Sequence, residues 1–136
     1  MDEPVARKPL IIQPGQGRAY PMGRMFAVFK ADRAETESKY SVSEWWLDPG
    51  CRLPNQHAHK EDHVYYVIEG TLTVLLASNA HRAERGAYVI IPGGALHAFE
   101  NQSPTKTGFI SINVPGGFED DVPEIAAALA LVNPVG

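Results

Sequence analysis

The chain has 136 residues and a formal charge of −4, with 44% apolar and 21% charged side chains. That length fits one domain, residues 1–136, and the balance belongs to a globular protein rather than a disordered or fibrous one. No basic stripe argues for nucleic acid or an anionic membrane as partner, and no apolar run approaches the ~20 residues of a membrane-spanning helix.

Along the chain, residues 1–8 are polar and expected to fray, and 9–13 are short and apolar enough for a strand. The opening Met1-Asp2-Glu3-Pro4 lacks the basic-then-apolar layout of a signal peptide. Pro14-Gly15-Gln16-Gly17 is turn chemistry. Arg24 to Lys30 reads as a strand, 31–38 as a polar loop, and the aromatic, β-branched run Tyr40 to Leu47 as a strand. Asp48-Pro49-Gly50 ends it. His63 to Glu69 and Thr71 to Ala77 read as strands on either side of Gly70, where a bend or bulge is expected. Residues 78–86 read as a polar connection carrying an exposed His81. Tyr88 to Ile91, His97 to Asn101 and Gly108 to Val114 read as three more strands. Close spacing and 12 Gly with 11 Pro point to an antiparallel sandwich or small barrel, an all-β fold. The core barrel would span about 22–115. A helix is expected over 122–132, opened by Asp121 and Glu124 in a capping box with Pro123 in the first turn, and broadly apolar.

The one cysteine, Cys51, excludes an internal disulfide and fits a reducing cytosol, so a cytoplasmic location is expected. No base is evident beside Cys51, which favours a buried, inert thiol. Arg52 and Lys30 are expected to be solvated.

Three of the five histidines fall within seven residues: His57, His59 and His63. On an extended strand the two histidines of His57-Ala58-His59 point to one face and can share a metal ion. Taken alone, the pair is equally explained by surface or hydrogen-bonded histidines. His63 opens the next strand, and a hairpin-type fold can return His97 to the same cavity.

The flanking residues resemble the cupins. Gly50, six residues, His57-Ala58-His59, three residues, His63, six residues and Gly70 follow their first motif. Gly86, Pro92, Gly94, His97 and Asn101 follow the second at every position, fifteen residues further on. The resemblance implies a double-stranded β-helix, or jelly-roll, barrel with a short C-terminal helix. His63 stands where most cupins carry Glu, so the chain looks like the four-histidine, quercetinase-like cupins, with His57, His59, His63 and His97 as ligands of one divalent ion (Fe, Mn, Ni, Cu or Zn). Glu61 is out of register with the histidines and reads as a solvated carboxylate. The Gly116-Gly117-Phe118-Glu119 stretch resembles a segment that follows the barrel in quercetinase-like cupins, and a turn before the helix explains it as well.

Four neutral imidazoles leave the ion its full charge and favour anionic oxygen ligands. The resemblance therefore implies a metal-dependent oxidoreductase, dioxygenase-like, acting on a small enolic or aromatic substrate. A non-redox cyclase, isomerase or lyase and a non-catalytic binding barrel are the alternatives. With tetrahedral zinc, four histidines would fill the shell. Alternation along the strands suggests Tyr65, Phe99, Trp46 and Ile112 for the pocket. One of Trp45 and Trp46 should face inward. The opposite wall takes Phe109 and Ser111 or Ile110 and Ile112, according to register. The expected partners are a small molecule and, as in many small cupins, a second copy in a homodimer, with residues 9–13 as the candidate edge contact.

Overall fold

The computed structural model describes residues 8–136, and among these nine strands form two antiparallel sheets. The larger takes β1 (Arg18–Met22), β2 (Met25–Ala31), β3 (Ser41–Leu47), β9 (Thr107–Val114), β4 (Asp62–Glu69) and β7 (Tyr88–Ile91) in that spatial order. The smaller takes β6 (Asn79–Glu84), β5 (Thr71–Leu76) and β8 (His97–Glu100). A one-turn helix α1 (Arg33–Thr36) follows β2; a 3-10 turn (Phe118–Asp120) and α2 (Val122–Val132) follow β9. This is the double-stranded β-helix barrel with a short C-terminal helix.

Register decides which residues face inward. Trp45 pairs with Phe109 across β3–β9, and Tyr65 with Ser111 across β4–β9. Odd positions of β3, β4 and β9 therefore share the buried face: Ser43, Trp45, Leu47, His63, Tyr65, Val67, Phe109, Ser111 and Asn113 are all buried. The rings interlock there. Phe109 stacks on Trp45 (centroids 6.2 Å apart, 8° between planes) and meets Tyr65 at 4.8 Å and Phe99 at 5.1 Å. Truncating such a ring to Ala typically costs ~3–5 kcal/mol.

Most expected strands form, and β4 carries a bulge between Val67 and Glu69, just before Gly70. The differences have local causes. Residues 9–13 form no strand and are largely exposed. The fraying expected of 1–7 lies outside the described residues. β1 contains Pro21, which removes a donor and confines the strand to the sheet edge. β6 lies inside the segment read as a connection; it is an edge strand exposed along its length except at Ala83, so it shows no apolar alternation. His81 is exposed as expected, but on this strand. Within 31–38, the Asp32 carboxylate accepts from the Ala34 N–H at 3.0 Å and caps α1. The helix forms at 122–132, but Asp121 makes no side-chain cap. The preceding 3-10 turn holds Asp121 at φ −90°, ψ −14°, a helical geometry instead of the extended one a cap needs. No helix among the described residues is long and apolar enough to cross a membrane.

Candidate metal centre

His57 and His59 lie in the segment between β3 and β4, His63 is the second residue of β4, and His97 is the first of β8. Backbone hydrogen bonds bring them together. His57 and His97 exchange both N–H···O bonds, each 2.9 Å. The His59 carbonyl accepts from the Gly94 N–H at 2.7 Å, and the Asp62 carboxylate from the Gly93 N–H at 2.8 Å. The turn at Gly93 presses so close that a Cβ would run into the Lys60 carbonyl. Gln56 clamps the segment from the other side, donating from Nε2 to the Ala77 carbonyl (2.6 Å) and accepting the Ala77 N–H at Oε1 (3.1 Å). Asn101, buried at the end of the second motif, donates from Nδ2 to the carbonyls of Leu47 (3.0 Å) and Thr105 (2.8 Å). It fixes the chain leaving β8.

The four imidazoles form one cluster. Ring centroids lie 4.6 Å apart for His57–His59 and 4.7 Å for His57–His97. The His63 ring lies parallel to His59 at 4.6 Å and 5.7 Å from His97. Ligand atoms of His57, His59 and His97 fall within 4.8 Å of one another, so these three can hold a metal ion; His63 stands beside that set. The Nε2 atoms of His63 and His97 are buried and meet no hydrogen-bond partner. Buried polar atoms rarely stay unpaired. On His97, a hydrogen bond from Nδ1 to the Ala95 carbonyl (2.9 Å) leaves the Nε2 lone pair free. His57 Nδ1 sits 3.4 Å from the Asn55 carbonyl, in the same sense. This is how a metal-ligating histidine is oriented.

Burial, reinforced by the neighbouring imidazoles, pushes His63 down to about 3 and His59 to about 4. His57 and His97 are lowered chiefly by burial too. Each shift favours the neutral imidazole, the form that ligates. The residues fit a divalent cation.

The cluster opens onto a cavity of about 290 Å³. Its walls are Trp45, Tyr65, Phe99, Phe109 and Ser111 of the barrel. Ile125, Ala128 and Leu129 of α2 roof it. Phe118 closes the remaining side, its ring edge-on to His59 (4.8 Å) and His63 (4.7 Å). No Lys, Arg, Asp or Glu side chain lines the cavity among the described residues.

Tyr65 and Phe99 therefore line the cavity as expected, whereas Trp46 and Ile112 do not. The β3–β9 register puts both on the outer face, where the Trp46 ring lies over Gly108 and under the Lys106 ammonium (5.9 Å). Trp45 and Ser111 take the inner positions. Phe118 and the α2 residues also line the cavity, and strand alternation carries no signal of them; the Gly116-Gly117-Phe118-Glu119 stretch is the sequence feature that marks this wall. There, buried Glu119 accepts the N–H groups of Gly117 and Arg33, both at 3.2 Å, and so fixes Phe118 over the histidines. Glu61 is buried (3% exposed), not solvated. Cys51 is buried, its thiol raised by burial, as suits an inert sulfur.

The Cupin domain model matches residues 43–113, which hold both histidine segments. The chain belongs to the cupin family. It is 27% identical over 114 residues to quercetin 2,3-dioxygenase of Bacillus subtilis, an alignment covering 83% of this chain and 33% of that protein. This cupin thus spans about a third of that relative's length. Among solved structures, it superposes on a predicted oxalate decarboxylase of Thermotoga maritima with a TM-score of 0.69 at 16% identity, covering 78% of this chain and 99% of that one. An RmlC-like cupin of Shewanella frigidimarina gives 0.67 at 19% identity, over 85% and 99%. At these identities the likeness shows the fold alone.

Proposed function

We propose that this cupin is a metal-dependent oxidoreductase, dioxygenase-like, in which His57, His59, His63 and His97 hold one divalent ion beside a small enolic or aromatic substrate. The observation that carries this reading is the pair of buried, unpartnered Nε2 atoms on His63 and His97, clustered with His57 and His59 at the end of an uncharged, aromatic-walled cavity.

When bound, a redox-active ion would supply Lewis acidity toward a deprotonated substrate oxygen and a route for electrons between substrate and dioxygen. The protein's part is positional and electrostatic. Four neutral imidazoles offset none of the cation's charge, so an enolate or phenolate oxygen is favoured at the cluster. The walls of Trp45, Phe99 and Phe109 suit a flat apolar body. They offer no cation to a phosphate or second carboxylate, which would be buried unpaired at high cost. Phe118 and the α2 roof narrow the approach to the histidines. Identity to quercetin 2,3-dioxygenase supports the same class.

The test is dioxygen uptake by protein loaded in turn with Fe(II), Mn(II), Ni(II) or Cu(II), using flavonol and enolic substrates. Uptake with at least one ion, and none with zinc, is expected. No uptake with any ion overturns the reading.

One observation favours a second reading. The tight set is three histidines, His57, His59 and His97, with His63 beside it. Three such ligands on zinc leave a position for hydroxide and non-redox lyase or isomerase chemistry. Turnover under strict anaerobiosis with zinc bound would select it.

A further inference from the structure

The cavity wall holds a donor that the metal reading leaves unused. Tyr65 is 3% exposed and lies on the inner face of β4, two residues past His63, with ring centroids 6.3 Å apart. Its ring is fixed against Phe109 at 4.8 Å and Phe99 at 6.0 Å. Among the described residues no hydrogen bond reaches its hydroxyl, and that oxygen is not one of the fully buried unpaired atoms, so it is accessible from the cavity that Tyr65 lines. A tyrosine O–H that reaches an otherwise apolar cavity is a ready donor to an oxygen entering it. The neighbouring polar groups are committed elsewhere. Trp45 Nε1 donates to Ser43 Oγ at 2.9 Å. Ser111 Oγ, opposite Tyr65 in the register, accepts from Asn113 Nδ2 at 3.2 Å, and Asn113 Oδ1 in turn accepts from Ser41 Oγ at 3.0 Å.

We propose, building on the metal-chelation reading, that Tyr65 is a substrate-positioning residue. Its hydroxyl donates to a neutral oxygen acceptor of the substrate, separate from the oxygen that faces the histidines. The ligand class is thereby narrowed to small, largely apolar molecules with a chelating enol or phenol at one end and a carbonyl-type acceptor beyond it. Because the wall has no charged group, a donor here biases which way round an otherwise apolar ring enters.

Two measurements test it. In the metal-free protein Tyr65→Phe should melt at or above the wild-type temperature, because the deleted hydroxyl has no protein partner. A fall of more than about 3 °C would show a structural hydroxyl and overturn the inference. In metal-loaded protein, catechol and 4-nitrocatechol are titrated by absorbance; the second adds an acceptor beyond the chelating pair. Tyr65→Phe should reduce the preference for 4-nitrocatechol over catechol by about 2- to 13-fold, the effect of one neutral hydrogen bond. Tyr66→Phe, on the exposed face of β4, should leave it unchanged. If wild type binds both probes and Tyr65→Phe leaves their ratio unaltered, the inference falls alone. If loaded wild type binds neither probe, the chelation reading falls and takes this inference with it.

Discussion

Replacing Gly23 by Ala is expected to unseat the roof of the cavity from a position well outside it. Gly23 sits at φ +74° in the turn between β1 and β2, and a Cβ there would run into the Asn133 carbonyl oxygen. That oxygen accepts from the Arg24 N–H at 2.8 Å and ends α2. The Asn133 side chain clamps the backbone of Arg52, accepting its N–H at 2.9 Å and donating to its carbonyl at 2.9 Å. Forcing Ala into the left-handed region costs about 1 kcal/mol, and displacing Asn133 forfeits three hydrogen bonds at about 1 kcal/mol each, a sum near 4 kcal/mol. For 136 residues the unfolding entropy is about 0.29 kcal/mol/K, so the melting temperature should fall by about 14 °C. Calorimetry measures this directly. Gly23→Asn separates the two causes, since Asn tolerates the backbone angle but still brings the Cβ; it should lose most of the same stability. A fall under 3 °C for Gly23→Ala would refute the claim that the turn and the helix end are locked together.

Other expectations follow from the same geometry. In the metal-free protein the folded-state values of His63 (about 3) and His59 (about 4) lie below the ordinary 6.5, so below pH 6.5 the unfolded chain binds more protons. Stability should be complete above pH 6.5 and decline steadily towards pH 3; a denaturant midpoint unchanged between pH 7 and pH 4.5 would contradict it. Trp45→Ala should cost ~3–5 kcal/mol and weaken any cavity ligand, whereas Trp46→Ala, on the outer face, should leave ligand affinity within about 2-fold. Calorimetry and probe titration of the two variants separate them. Asn101→Ala strips the buried Leu47 carbonyl of this donor, while Ser103 Oγ still reaches the Thr105 carbonyl, and should cost ~1–3 kcal/mol, read as a lower midpoint in urea.

The histidine cluster was legible because motif spacing is a backbone property. His57 and His59 share a face by the period-two rule, and the Pro92-Gly93-Gly94 turn returns His97 beside them. The barrel was legible for a related reason: strands β3, β4 and β9 bury mainly one face and so carry apolar residues in a readable rhythm. Where burial is absent the rhythm vanishes, and β6, with Ala83 as its buried residue, passed for a loop. Parity in β3 and β9 was the other gap. Trp45 and Trp46 are the same residue type, and in Phe109-Ile110-Ser111-Ile112 both parities offer large apolar side chains. Cross-strand register, which depends on distant residues, chose Trp45 and Ser111 for the cavity. The roof lay beyond local reading as well, since Phe118, Ile125 and Leu129 acquire their role from where α2 docks.

The claim that everything else depends on is that His57, His59, His63 and His97 together hold one divalent ion. Its most direct test is elemental analysis of extensively dialysed wild-type protein beside His97→Ala. One ion per chain in the wild type, lost in the variant, is the expected result. A wild type with no stoichiometric ion, or a variant that retains a full equivalent, would contradict the account.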